Sequence, residues 1–557
     1  MNKILDEDFY DLIIDNILLP HYDTDNNTTP LNERFSLLHI PSGPDNACDL
    51  GIHPYHRFPS LLTLSALING EESKTMQINH TSSLSLYGRG VIIGIIDTGI
   101  DYTHPAFRHN DGSTRILSLW DQTIQTGIPP EGFTFGSEYS RELINLALMS
   151  GETQTIVPSE DNLGHGTAVA GIIGGKPNSA ENFSGIVPEA DFVIVKLKET
   201  KSSLRRIAFV PQDAICYQES DVIFAARYLS SIAYKLSRPL AICVTLGTSQ
   251  GGRDEHGITT GYLDTLTSRP QMCVSIAAGN EGNNKRHYFG DIVSPFQDAT
   301  FELQVGSPDR MFAMEIWPYA PSHLSIEVTS PSGETTPIMY PRLNICEQFN
   351  FRFDQGTLFT NNINFEEQTG EQLILLRFQN PAPGTWSFNL HNIEEGPFSF
   401  HSWLPSGDLI SLETYFPDSN PDTTITSPGN ATRPLTVTAY NPLDGNIWIN
   451  SGRGYTRTNQ VKPDIAAPGY KLNCPLPGNR YCSATGTGAA VAYATGIVAM
   501  LLEWAVVRGN YTSITGTDIR RLLTRGAYRS PELTYPNNIW GYGQLDVDGV
   551  FDRLIIF

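Results

Sequence analysis

The sequence predicts an α/β protein: a doubly wound parallel sheet, interrupted by an antiparallel β-sandwich and preceded by a separate N-terminal region. Three features carry that prediction. Largely apolar runs (GVIIGIID, DFVIVKLK, PLAICVTLG, CVSIAAG) alternate with helix-like segments such as SDVIFAARYLSSIAYKL. A strand of that kind is buried on both faces, which happens in a parallel sheet covered by helices. From about residue 298 to 422 the pattern changes to alternation of apolar and polar residues between Pro, Gly and Ser turns (FELQVG, MFAMEIW, LSIEVTSPSGE, QLILLRFQ, GTWSFNLHNI), the signature of an antiparallel sandwich. Finally, GTGAAVAYATGIVAMLLEWAVV, residues 486–507, is rich in small side chains that let neighbouring backbones approach, as in a helix at the centre of a large domain.

At 557 residues the chain is long enough for two or three domains. Residues 1–80 form a less regular unit in which short apolar runs (FSLLHI, FPSLLTLSALI) alternate with polar stretches such as DTDNNTTPLNE. His53 and His56 in HPYH have no acidic or cysteine partners in register, so no metal is expected there. Residues 81–297 form the first part of the α/β core, 298–422 the inserted sandwich, and 423–557 the rest of the core with the central helix. The first core strand ends in Asp97-Thr98-Gly99, and an acid at the carboxyl end of such a strand sits where open α/β sheets bind ligands. DNLGHGTAVAGIIGG places His165 between two glycines at the start of a small-residue helix.

A balance of 37 basic against 59 acidic residues, net −22, disfavours nucleic acid and anionic membranes as partners. The seven cysteines are sparse, odd in number and without metal-like spacing, so reduced thiols are expected. The N-terminal MNKILDEDFYDLIIDNILLP has acids around its apolar patch and lacks the basic start of an export signal, which points to synthesis and retention in a reducing interior. Residues 486–507 are long enough to span a membrane, but Glu503, Tyr493 and Thr495 within the run argue for a core helix. The N-terminus of that helix carries free N–H groups and a positive dipole end, a place that stabilises a nucleophile or an oxyanion. The residue there is Gly488, which has no side chain.

DTGIDYTHP, GHGTAVAG, AAGNEG, KPDIAAPG and GTGAAVA, in that order, resemble the motif series of the subtilisin-like serine proteases, the subtilases. The series runs from about residue 88 to the end, leaving out the sandwich. Within that family the chain is most similar to the Csp group of spore-forming clostridia, associated with germination. It shares DYTHPAFRHNDGSTRILSLWDQT, PPEGFTFGSEYSRELIN, an inserted β domain (a jelly roll in that group) and the LLEW…YPNNIWGYG ending. The resemblance implies a subtilisin-like fold with residues 1–80 as an α+β prosegment, an intramolecular chaperone of folding. It implies Asp97 as the triad acid and His165 as the general base. Asn280 would be the side-chain donor of the oxyanion hole, a group whose loss costs subtilisin about 10²–10³ in rate. Thr245, Leu246 and Gly247 would form the strand lining the substrate cleft. No cofactor is implied.

The chain departs from the family at the nucleophile. The family reads Gly-Thr-Ser at the head of the central helix, and this chain reads Gly486-Thr487-Gly488 with AAVAYATGIVAML following without a gap. Thr487 matches the family's own Thr, and Ser483 and Thr485 lie upstream on the approach to the helix. Removing the subtilisin serine costs about 2 × 10⁶ in turnover, and no acyl-enzyme forms on glycine. The reading that follows is a pseudoprotease, a regulator or signal sensor in spore germination, incorporated in the spore. Its prosegment would stay attached, with KTMQINHTSS in the cleft, and its partners would be a sibling Csp protease or the precursor of a cortex hydrolase. The alternative is an active endopeptidase that activates a precursor cortex-lytic enzyme with another nucleophile. A third reading makes the β domain an interaction surface.

Overall fold

Eight strands form the sheet on which everything else is arranged, in the spatial order Ile465–Pro468, Leu435–Tyr440, Met272–Ala277, Leu240–Val244, Ile92–Asp97, Asp191–Lys196, Ile116–Asp121 and Ser137–Ser140. All neighbours are parallel except the last pair. The computed structural model describes residues 2–21, 27–43, 48, 50, 53–69, 85–343 and 345–555.

The Ile92–Asp97 strand shows why these runs are largely apolar. Ile93 and Ile95 face one core, with the helices His165–Gly174 and Thr487–Leu502, whereas Ile92 and Ile96 face another, with the helix Glu219–Leu236. Both faces are dry, which favours apolar residues from Ile92 to Ile96, and the one polar residue, Asp97, stands at the carboxyl end. The chain order reverses about this central strand, and its carboxyl end carries Asp97.

The central helix continues through one wider turn, Glu503–Val507, and Thr487–Val507 is long and apolar enough to cross a membrane. It is buried in the fold instead. Glu503, the acid within the run, is also buried, and its Oε2 accepts the backbone N–H groups of Tyr87, Gly88 and Arg89 at 2.8, 2.7 and 3.2 Å. Three donors to one carboxylate oxygen tie the helix to the entry of the Ile92–Asp97 strand.

The sandwich packs a six-stranded antiparallel sheet against a three-stranded one around an aromatic core that includes Phe301, Phe312, Phe378, Trp386 and Phe388. Its first strand is His287–Ile292, ahead of the expected start at 298, because HYFGDI lacks the clean alternation of its neighbours. The last sandwich strand is Phe398–Trp403.

The N-terminal region contributes a three-stranded sheet, Phe9–Asp15, Phe35–Pro41 and Thr28–Pro30, with no α-helix among its described residues up to Asn69. It packs through Tyr10, Leu12 and Leu61 against Trp317, Phe359 and Leu375 of the sandwich. Cys48 and Cys346 join the two by a disulfide, contrary to the expectation of reduced thiols. The partners are 298 residues apart, so spacing gave no hint of the pair. The other five cysteines are free and buried.

Candidate active site

Asp97 and His165 arrive from different elements and meet in a fully buried pair. Asp97 closes its strand, and His165 is the first residue of the helix His165–Gly174, where Gly164 takes φ 75°, a left-handed turn that costs glycine little. His165 Nδ1 and Asp97 Oδ1 are 2.7 Å apart, and the two residues are 2% and 0% exposed. Burial alone would push the Asp97 carboxyl up. The His165 charge and hydrogen bond, with donors from Thr245 and Thr98, outweigh it and hold the carboxyl below its ordinary value. Burial likewise opposes a charged imidazole, yet the Asp97 charge and bond hold His165 above its ordinary value. The other ring nitrogen, Nε2, is buried and makes no hydrogen bond.

Asn280 and Gly488 meet at one oxygen. The Asn280 side-chain Oδ1 accepts from the Thr487 N–H at 3.0 Å and its hydroxyl at 2.9 Å, which fixes the amide with Nδ2 outward. Nδ2 then donates to the carbonyl oxygen of Ser65 at 2.8 Å, and the Gly488 N–H donates to the same oxygen at 2.7 Å. Two preorganised donors on one carbonyl oxygen form an oxyanion-hole arrangement. Gly486 and Gly488 make room for it: a Cβ at 486 would stand 2.8 Å from that oxygen, and one at 488 would stand 2.9 Å from the Ser65 carbonyl carbon.

Ser65 belongs to an extended segment that threads the whole cleft. Leu61–Leu64 is the middle strand of a three-stranded antiparallel sheet, with Tyr217–Gln218 on one edge and Leu246–Gly247 on the other. Leu64 lies opposite Leu246 and Thr63 opposite Gly247, and the Ser65 N–H donates to Thr245 O at 2.8 Å. Beyond Ser65, Leu67–Asn69 pairs antiparallel with Arg480–Thr485, the strand that leads into the central helix. The segment is therefore paired with core strands on both sides of the Ser65–Ala66 bond. Residues 61–69 occupy the cleft where KTMQINHTSS was expected. That stretch, residues 74–83, lies outside the described residues, as does all of 70–84.

Sequence reasoning missed several supporting groups. Thr245, read only as a cleft residue, also donates its hydroxyl to Asp97 Oδ2 at 2.5 Å. Asp161 accepts from the Thr98 hydroxyl at 2.7 Å, from the Gly164 and Thr167 N–H groups at 2.9 and 2.8 Å, and from the Thr167 hydroxyl at 2.7 Å. It anchors the helix start that presents His165. Its position just before GHGT is a helix-start signal that could have identified it. Among the described residues no group of three or more His, Cys, Asp or Glu side chains could hold a metal ion. His56 instead lies 3.0 Å from Glu366 of the sandwich.

The model of the subtilase family matches residues 88–298 and 406–543, on either side of most of the sandwich. Among solved structures the chain is similar to the Clostridium perfringens CspB protease, with a TM-score of 0.75 and 26% identity over 85% of this chain and 94% of that one. Among curated proteins it is similar to the C5a peptidase of Streptococcus pyogenes, 22% identical over 437 residues, 74% of this chain and 34% of that protein. It is also similar to pyrolysin of Pyrococcus furiosus, 22% identical over 501 residues, 79% of this chain and 33% of that protein. The chain thus covers about a third of the length of these curated relatives. With the family model covering the greater part of the chain, and its Asp, His and Asn motifs converging on one cleft, the protein belongs to the subtilase family.

Proposed function

We propose that this protein is a catalytically inactive subtilase whose cleft is held by its own N-terminal segment, and that it acts by binding. The observation that carries the reading is the contact between Gly488 and Ser65. The peptide carbonyl sits in the oxyanion site, and the helix position facing its carbon has no side chain. Three neighbouring hydroxyls are engaged elsewhere. Thr487 Oγ1 donates to Asn280 Oδ1, Thr245 Oγ1 donates to Asp97, and Thr485 Oγ1 accepts the Lys471 N–H at 3.0 Å. The unpartnered Nε2 of His165 fits a base with no hydroxyl to deprotonate.

The similarity to the CspB protease supports placing this activity in spore germination, as a regulator or signal sensor in the spore. A sibling Csp protease or the precursor of a cortex hydrolase is the partner that reading implies. The competing reading, an active serine endopeptidase that activates such a precursor, draws on the intact Asp97–His165 pair. A fluorophosphonate probe separates the two. The proposed protein stays unlabelled and at full length when made without other proteases, whereas labelling at any hydroxyl sinks the proposal.

A further inference from the structure

Two of the five free cysteines stand face to face. Cys474 lies on the strand Leu472–Leu476 and Cys482 on Arg480–Thr485, and the antiparallel register places each directly opposite the other. Their sulfur atoms are 3.4 Å apart. Residues opposed in this way have Cα atoms about 4.5–5.5 Å apart, inside the span of about 4.4–6.8 Å that a disulfide bridges. Bringing the sulfurs to a bond length of about 2.05 Å therefore asks for side-chain rotation and no change of strand register.

The two thiols are unequal. A hydrogen bond from Cys474 holds the Cys482 thiol below its ordinary value, against the opposing effect of burial. Burial, with Cys482 beside it, pushes Cys474 well up. Cys216, Cys243 and Cys273 are also pushed up by burial. The thiolate is the form that reacts, so Cys482 is the nucleophile of the set and Cys474 the thiol placed to resolve it. Cys482 is only 3% exposed, but the hairpin turn at residues 478–480 beside it is open to solvent. A small oxidant is the class that fits such a place.

We propose that Cys474 and Cys482 are a reversible modification site, oxidised by a peroxide to a disulfide that cross-links the hairpin leading into the central helix. The Cys482 thiolate attacks one oxygen of hydrogen peroxide and the O–O bond breaks. The departing hydroxide takes the proton that Cys482 released and leaves as water, and Cys482 is now a sulfenic acid. Cys474 then gives up its proton, its sulfur attacks the Cys482 sulfur, and the S–O bond breaks. Hydroxide leaves with that proton as a second water. The two thiols lose two electrons and two protons, and the peroxide is reduced to water. The cross-linked strand Arg480–Thr485 is the one that also pairs with Leu67–Asn69 of the cleft segment.

The test treats the full-length chain with hydrogen peroxide, blocks the remaining thiols with iodoacetamide in denaturant, and digests with trypsin, which cuts after Lys471, Arg480 and Arg508. Mass spectrometry is expected to find peptide 472–480 joined to peptide 481–508, and the two to separate after dithiothreitol. Cys474→Ser removes the resolving thiol, so no joined pair forms and dimedone, which captures sulfenic acids, labels Cys482. The proposal is overturned if the parent gives no joined pair, or if Cys216, Cys243 or Cys273 is modified first. It is equally overturned if dimedone leaves Cys482 unlabelled in the folded variant. Should Cys474→Ser not fold, the joined peptides of the parent decide alone.

Discussion

The Gly488 N–H donates to the Ser65 carbonyl oxygen at 2.7 Å, and a Cβ on Gly488 would reach within 2.9 Å of the Ser65 carbonyl carbon. The first distance is that of a well-formed hydrogen bond, and the second is closer than carbon atoms normally approach. Glycine at the head of the central helix thus lets the chain's own segment seat more deeply than it would against any side chain. In the function proposed above, the same glycine also leaves the helix without a nucleophile.

Gly488→Ser places a hydroxyl beside the Ser65 carbonyl, which already accepts from Asn280 and Gly488, with His165 Nε2 unpartnered. Self-cleavage between Ser65 and Ala66 is expected, read as a new N-terminus at Ala66 by sequencing. The control, Gly488→Ala, adds the Cβ without the hydroxyl and remains whole. That Cβ would also meet the Ala66 Cβ at 2.9 Å, so the segment must shift, at a cost of about 1–3 kcal/mol typical of overpacking. A melting curve measures it.

Thr245→Val keeps the strand and its shape but removes the hydroxyl that donates to Asp97 Oδ2. A hydrogen bond to a buried charge contributes about 1.5–3 kcal/mol, so the variant is expected to lose that much stability in a denaturant titration. In the Gly488→Ser background it slows self-cleavage, because Asp97 loses a group that orients it.

The Asp97–His165 pair sets a pH window. His165 is raised on folding, so its contribution is full below its ordinary 6.5 and is lost as pH climbs through the folded value. Asp97 is lowered, so its contribution is present above its ordinary 3.8 and is lost as pH falls through the folded value. An NMR titration of the imidazole is expected to place the His165 midpoint above 6.5. Asp97→Asn should move it downward, since burial then acts without its main opponent. An unchanged midpoint would mean that the pair is not formed in solution.

Cys48 and Cys346 tie the N-terminal region to the sandwich. Thiol counting in denaturant without reductant is expected to find the five free cysteines and not all seven. Cys346→Ser should lower stability by about 2–5 kcal/mol, as loss of a native disulfide commonly does. A count of seven thiols would restore the expectation of reduced cysteines.

The sequence by itself determined the α/β core, the sandwich class and the residues at the centre of the cleft. Strands buried on both faces are apolar along most of their length, as Ile92–Ile96 are, and such a pattern survives without any neighbour to interpret it. Asp97, His165, Asn280 and Gly488 were legible because each sits in a short motif whose glycines answer a local need, such as the φ of 75° at Gly164. Only the tertiary structure decided which segment fills the cleft. Strand pairing runs through backbone N–H and C=O groups that every residue carries, so LLTLSALIN announces no partner until Thr245–Gly247 and Arg480–Thr485 stand beside it. The same holds for the Cys48–Cys346 bond. Contacts made between distant parts of a chain depend on where the backbone has been carried, and no local spacing records that.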